Sequence, residues 1–216
     1  MKNKNLILVS IVVLVSLFFG ASYLYKDAQT KESVSLSKEQ ALLFERPYSY
    51  VVGNKDAKVQ LVEFFDPACG TCAQYHSYVK DILKKHDGKV KLVLRYAPFH
   101  KNSNYAVIML EGAREQGKFM EVLELMYATQ SSWTKHHEVK PKILWEMLAR
   151  LSALDMQKLS DYMNTSKGSE IVRQDLEDAR TLNVKQTPGF LVNGKPLQEF
   201  GLENLEDLIK SELNKN

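Results

Sequence analysis

The sequence predicts an α/β protein: one sheet layer interrupted by a helical insertion and preceded by an N-terminal hydrophobic segment. Three observations carry this. Two stretches rich in β-branched and apolar residues, "VQLVEFF" (59–65) and "KVKLVLRYA" (89–97), flank a helical pattern. Residues 101–182 are patterned as helices nearly throughout. Strand composition returns at "GFLVN" (189–193), and an amphipathic helix follows. Strands interleaved with helices in this order build a sheet with helices on its faces.

The elements follow in chain order. Lys2 and Lys4 precede an apolar run from Leu6 to Tyr25, broken only by Ser10, Ser16, Gly20 and Ser22. A run of this length at about 1.5 Å per residue spans the roughly 30 Å hydrocarbon layer. Positive charge ahead of it predicts a cytoplasmic N-terminus and an exported body. Residues 1–26 therefore read as a signal anchor or a signal peptide. The run continues through Tyr23 and Leu24, past the small residues 20–22, which favours an uncleaved membrane tether through residues 6–25. Residues 27–46 read as a polar tether and a short helix, "SKEQALLFE", with Ser37 and Gln40 as its capping box and Pro47 as its stop.

Residues 47–100 and 183–216 form the α/β domain, and 101–182 are its helical insertion. The strand 59–65 leads into a helix over 70–86, marked by Val79, Ile82, Leu83 and His86. "HDG" ends that helix, and the strand 89–97 alternates Val90, Leu92 and Leu94 before Pro98. In the insertion, "NYAVIMLEGAREQ" and "KFMEVLELMYATQ" part at Gly117. Pro141 opens "PKILWEMLARLSAL" as a first-turn residue, Asp155 caps "MQKLSDYMN", and Gly168 precedes "SEIVRQDLEDARTLN". "NG" (193–194) predicts a tight turn into "KPLQEF". "LENLEDLIKSEL" closes the chain, with Leu202, Leu205, Leu208, Ile209 and Leu213 on one face.

Composition is that of an ordinary globular chain, 44% hydrophobic and 25% charged, which excludes low-complexity and collagen-like structure. The net charge is only +3 with no arginine-rich run, so nothing points to nucleic acid.

The chain holds two cysteines, Cys69 and Cys72, separated by Gly70 and Thr71 within "VEFFDPACGTCAQYH". A C-x-x-C pair beside an α/β pattern reads as a redox motif. Cys69 falls at a helix N-terminus, where unpaired N–H groups and the helix dipole stabilise a thiolate. Cys69 is thus the expected nucleophile. Cys72 falls within the first turn and points inward. Gly70 permits close approach, and Thr71 adds little bulk. A purely structural disulfide is a poor account of the pair, because chain-entropy stabilisation grows with loop length. Zinc is a poor account too: Cys69, Cys72 and His76 offer three ligands where a structural site takes four. No metal is expected.

With these residues in place, the chain resembles the thioredoxin superfamily, and within it the DsbA-like thiol–disulfide oxidoreductases. Three matches carry the resemblance, which covers about residues 45–214. In "LVEFFDPACGTC", Glu63 matches the family's buried acidic residue six positions before the first cysteine. In "QTPGFLVNG", Pro188 with Thr187 before it matches the family's cis-proline opposite the dithiol. The helical insertion is the DsbA-like feature.

The resemblance implies several things. The Thr187 backbone beside a cis Pro188 pairs with substrate. Glu63 has a raised pKa and relays a proton to or from Cys72 through water. The activity is protein disulfide exchange outside the cytoplasm, introducing disulfides into exported proteins with free thiols. No organic cofactor is needed, and a membrane redox partner of the DsbB type reoxidises the dithiol. The best-known member of the family carries Pro-His between its cysteines, where this chain has Gly-Thr and no imidazole. The direction of electron flow therefore stays open between a disulfide donor and a reductase or isomerase fed electrons from the membrane. An adaptor or chaperone-like domain with an incidental dithiol is the alternative of another class.

Five further features stand outside the dithiol motif. His76 is expected on the solvent side of its helix, and His100 in a loop after the second strand. His136 and His137 stand in a polar loop after Trp133. Phe65, Pro67 and Ala68 are expected as an apolar rim around the dithiol. The methionines of the helical block read as core filling.

Overall fold

The computed structural model describes Gly20 and residues 38–215. The N-terminal apolar segment, most of the tether and Ser37 of the expected capping box lie outside the described residues. Helix α1 covers Lys38–Phe44, and the chain from Leu43 onward forms one compact unit.

Within it a five-stranded sheet runs in the order β1 (Tyr50–Val52), β3 (Val90–Tyr96), β2 (Val59–Phe65), β6 (Gly189–Val192), β7 (Lys195–Pro196). β2 and β3 are parallel, in register from Val59↔Val90 to Phe65↔Tyr96. A parallel pair needs a crossover, and α2 (Gly70–Lys85) supplies it. β6 returns antiparallel to β2, with Phe64 opposite Gly189 and Leu61 opposite Val192. The C-terminal ends of β2 and β3 therefore meet the start of β6 at one edge of the sheet. Residues 66–69, 97–103 and 186–188 are brought together there by register alone.

Strand alternation sorts the side chains. Leu61, Phe65, Leu92, Leu94, Phe190 and Val192 join one core cluster with Cys72, Val79 and Ile82 of α2. Leu205 and Ile209 of α9 (Leu202–Leu213) complete that face. The insertion adds to the same cluster through α3 (Ser103–Arg114), α4 (Phe119–Ala128), α5 (Gln130–Trp133), α6 (Pro141–Leu148) and α7 (Met156–Met163). Glu63 has the parity of Leu61 and Phe65, so it lies on the face that carries α2. Val62, Phe64, Val93 and Leu191 point the other way, toward Ala179 of α8 (Lys167–Thr181) and Leu182 just beyond it. Arg95 shares that second face. It is fully buried and bonds Asp175 at 2.7 Å and Asp178 at 2.5 Å, tying β3 to α8.

The structure departs from the sequence reading in four places. β1, paired antiparallel with β3 from Tyr50↔Leu94 to Val52↔Leu92, was not anticipated. Three residues are too short for a two-residue period to register. The helical block contains a hairpin, β4 (Thr134–Lys135) with β5 (Glu138–Val139). Its turn residues His136 and His137 both have positive φ, 49° and 60°. Such turns are normally Asn-Gly or Gly-rich, so the His-His pair gave no signal. The helix opened by Pro141 ends at Leu148 rather than near residue 154. The partner of β6 is only Lys195–Pro196, a short edge strand that tolerates proline. The turn before it has positive φ at Asn193 and Gly194, as "NG" predicts. Asp155 caps α7 by accepting from Gln157 and Lys158 N–H at 3.0 and 3.1 Å.

Candidate active site

β2 ends at Phe65, and three residues turn the chain into α2. Asp66 makes that turn. Its carbonyl accepts from the Cys69 N–H at 2.9 Å, and its carboxylate accepts from the Ala68 N–H at 2.8 Å. Cys69 is then the N-cap residue of α2, with extended backbone (φ −80°, ψ 119°). Its side chain lies over the first-turn N–H groups, which have no partner within the helix. Cys72 sits one turn in and is completely buried. Both are free thiols. An added side chain at Gly70 would meet only Gln130 Oε1 at 3.7 Å, so Gly70 leaves the outer face of the dithiol open.

The other wall is the start of β6. The Thr187–Pro188 peptide is cis, and the Thr187 carbonyl accepts from the Cys69 thiol at 3.2 Å. Glu63 lies beneath, 3% exposed among the core residues of its face.

The electrostatics of the two sulfurs are opposed. Cys69 is held down to about 5, chiefly by a hydrogen bond from the Cys72 thiol. Burial works against this, while the Thr187 side chain and the N–H groups of Cys72 and Thr71 add to it. Cys72 is pushed well above the ordinary thiol range by burial, by its bond to Cys69 and by the charge of Glu63. Glu63 is pushed up to about 8, first by burial and then by the Cys69 charge. These opposed shifts favour a thiolate at Cys69, a thiol at Cys72 and the proton-bearing form of Glu63. This division suits one sulfur to attack and the other to wait protonated.

The structure therefore brings Cys69, Cys72, Gly70, Thr71, Glu63, Thr187 and Pro188 to one edge of the sheet. Two expectations are corrected. Phe65, Pro67 and Ala68 are buried and form no rim, because the Asp66 turn folds them under α2. His76 is not on the solvent side. Its ring lies 5.2 Å from that of Tyr127, and Nε2 stands 3.8 Å from Glu124 Oε1. Burial lowers its pKa.

Three residues of the site went unrecognised in the sequence. Asp66 is fully buried at the foot of the dithiol loop. His100 bonds it, Nδ1 to Oδ2, at 2.7 Å. Gln130 of α5 donates from Nε2 to the carbonyls of Pro67 (2.8 Å) and Cys69 (3.1 Å), gripping the same loop from the insertion. The only local hint was the aspartate directly after β2. His100 and Gln130 lie 31 and 61 residues beyond Cys69 in sequence.

A family model described as Thioredoxin matches residues 45–211, and the chain belongs to that family. A DsbA-like protein is among its structural relatives: alpha-DsbA1 of Wolbachia pipientis superposes with a TM-score of 0.68 at 19% identity, over 80% of this chain and 94% of that one. That likeness is one of fold. A Rickettsia typhi protein named as a protein-disulfide oxidoreductase is 25% identical over 163 residues, 74% of this chain and 60% of that protein. The Na(+)/H(+) antiporter NhaA 3 of Salinispora tropica is 31% identical over 162 residues, 74% of this chain but 23% of the antiporter. The chain thus spans about a quarter of the antiporter it matches. No helix among the described residues is long and apolar enough to cross a membrane.

Proposed function

We propose that this protein is an extracytoplasmic thiol–disulfide oxidoreductase that introduces disulfides into exported proteins through Cys69 and Cys72. In the oxidised enzyme a substrate thiolate attacks Cys69 Sγ. The Cys69–Cys72 bond breaks, a mixed disulfide forms, and Cys72 leaves as a thiolate. Protonated Glu63 is the proton source for Cys72, through water. A second substrate thiolate then attacks the substrate sulfur of the mixed disulfide. Cys69 departs as its stabilised thiolate, and two electrons now rest on the enzyme dithiol. A membrane redox partner, quinone-linked and of the DsbB type, removes them. The substrate strand lies against Thr187 and Pro188. A cavity of about 220 Å³ lined by Pro188, Phe190, Leu197 and Phe200 continues from there and suits apolar side chains of unfolded substrates.

The observation that carries the reading is the opposed state of the two sulfurs. A good leaving thiolate at Cys69 stabilises the reduced enzyme and makes its disulfide a donor. The name of the Rickettsia typhi relative agrees with this chemistry. Lys2 and Lys4 before the apolar run 6–25 support export and tethering to the membrane. Gly-Thr between the cysteines favours a second reading, a reductase or isomerase, since that dipeptide contributes no charge to the thiolate.

Trapping tests the reading. Cys72→Ser, mixed with a disulfide-bonded substrate peptide, is expected to accumulate a mixed disulfide at Cys69, because the thiol that would resolve it is gone, and Cys69→Ser is expected to abolish exchange. A Cys69→Ser protein that still oxidised substrate at the native rate would contradict it.

A further inference from the structure

The dithiol loop rests on a polar cluster that the exchange steps above do not use. Asp66 is fully buried, yet its carboxylate accepts four hydrogen bonds. They come from the Ala68 N–H (2.8 Å), the His100 N–H (3.0 Å), His100 Nδ1 (2.7 Å) and the Ser103 hydroxyl. Four donors fix this carboxylate in place, and a thiolate at the head of the same loop is stabilised by a positive charge held nearby. His100 is placed to supply it. Its side chain is 19% exposed and is fixed by Asp66 at the edge of the sheet where β2 delivers Cys69.

The groups facing His100 are few. Asp66 holds it from the β2–α2 turn, and the Cys69 charge acts on it from the N-terminus of α2. The His137 ring stacks on it at 5.5 Å from the β4–β5 hairpin. Lys101, next in sequence, is turned outward to Glu138 at 3.5 Å.

We propose that His100, held on Asp66, is the cation that stabilises the Cys69 thiolate and thereby raises the reduction potential of the dithiol. The inference rests on the oxidoreductase reading and deepens it. It supplies from a neighbouring loop the positive charge that Gly70 and Thr71 lack. His100 is a positioning residue, acting on substrate only through Cys69. The Asp66 hydrogen bond, foremost, and the charges of Asp66 and Cys69 all favour its protonated form.

The test uses the full-length protein in two measurements. The first is an NMR titration of the His100 ring in the reduced and oxidised wild type. Coupling between two charges is reciprocal, so the thiolate of the reduced form must raise the His100 midpoint, by about one unit. Equal midpoints in the two forms overturn the inference without any variant. The second equilibrates wild type and His100→Asn with glutathione over a pH series. Asn keeps a donor for Asp66 but carries no charge. Between the Cys69 midpoint near 5 and the His100 midpoint, His100→Asn should be about tenfold less oxidising, or about 30 mV. The two curves should converge above the His100 midpoint, where the wild-type ring is neutral. A merely structural role gives a constant offset, or none, at every pH, and that result overturns the inference alone. A wild type that does not exchange with glutathione at all overturns the oxidoreductase reading and this inference with it.

Discussion

In the proposed mechanism Cys69 and Glu63 divide the acid–base work of the site. Because Cys69 is held to about 5 and Cys72 lies well above the thiol range, iodoacetamide should label the reduced protein at Cys69 alone. The labelling rate should rise with pH through a midpoint near 5 rather than near 9; a midpoint near 9 would mean that the N-terminal turn does not stabilise the thiolate. Glu63 behaves oppositely. Its pKa is raised from 4.5 to about 8 by burial, so the folded state holds this proton more tightly than the unfolded state. Its effect favours the fold most at low pH and is lost as pH rises through about 8. Glu63→Gln removes that loss. The reduced variant should become progressively more stable than wild type between pH 4.5 and about 8 in urea titrations, while proton delivery to Cys72 slows. Parallel stability curves would show that Glu63 ionises freely in the fold.

Helix contacts decide how far the insertion and the sheet act together. α3 presses on α7 at Gly112, where an added Cβ would lie 2.5 Å from Leu159 Cδ1 and 3.1 Å from Tyr162 Cδ1. Gly112→Ala should cost about 1–3 kcal/mol of stability, as overpacking does, read as a lower urea midpoint with the dithiol potential unchanged. An unshifted midpoint would show that Leu159 moves aside freely. Gln130 of α5 and Ser103 of α3 are contacts through which the insertion reaches the dithiol loop.

At this scale the sequence was readable wherever a signal was local. The cysteine pair, Glu63 ahead of it and Pro188 at a strand start stand in short continuous motifs. Asp66, His100 and Gln130 belong to three segments joined only by strand register and the packing of α5. The β4–β5 hairpin escaped because its turn uses two histidines at positive φ, where no propensity argument places them.

The whole molecule is tied across its second face by charge. Arg95, fully buried, holds Asp175 and Asp178 of α8. Arg46 adds a bond to Asp178 at 2.6 Å, and the Tyr48 hydroxyl donates to Asp175 at 2.6 Å. Removing one partner of a buried pair strands the others, at about 3–5 kcal/mol. Arg95→Met should therefore lower the thermal midpoint of the whole unit in a single transition, and a loss under about 1 kcal/mol would show the network to be dispensable. Alternating strands and helices made the α/β class legible in the sequence. This network was not, since nothing in "LVLRYA" marks its arginine as buried rather than edge-exposed.

The account stands most directly on the reduction potential of the Cys69–Cys72 couple, measured by equilibrating the full-length protein with glutathione. A strongly oxidising value, approaching about −120 mV, is predicted by the stabilised Cys69 thiolate. A value near about −270 mV would contradict the disulfide-donor reading and make the protein a reductant.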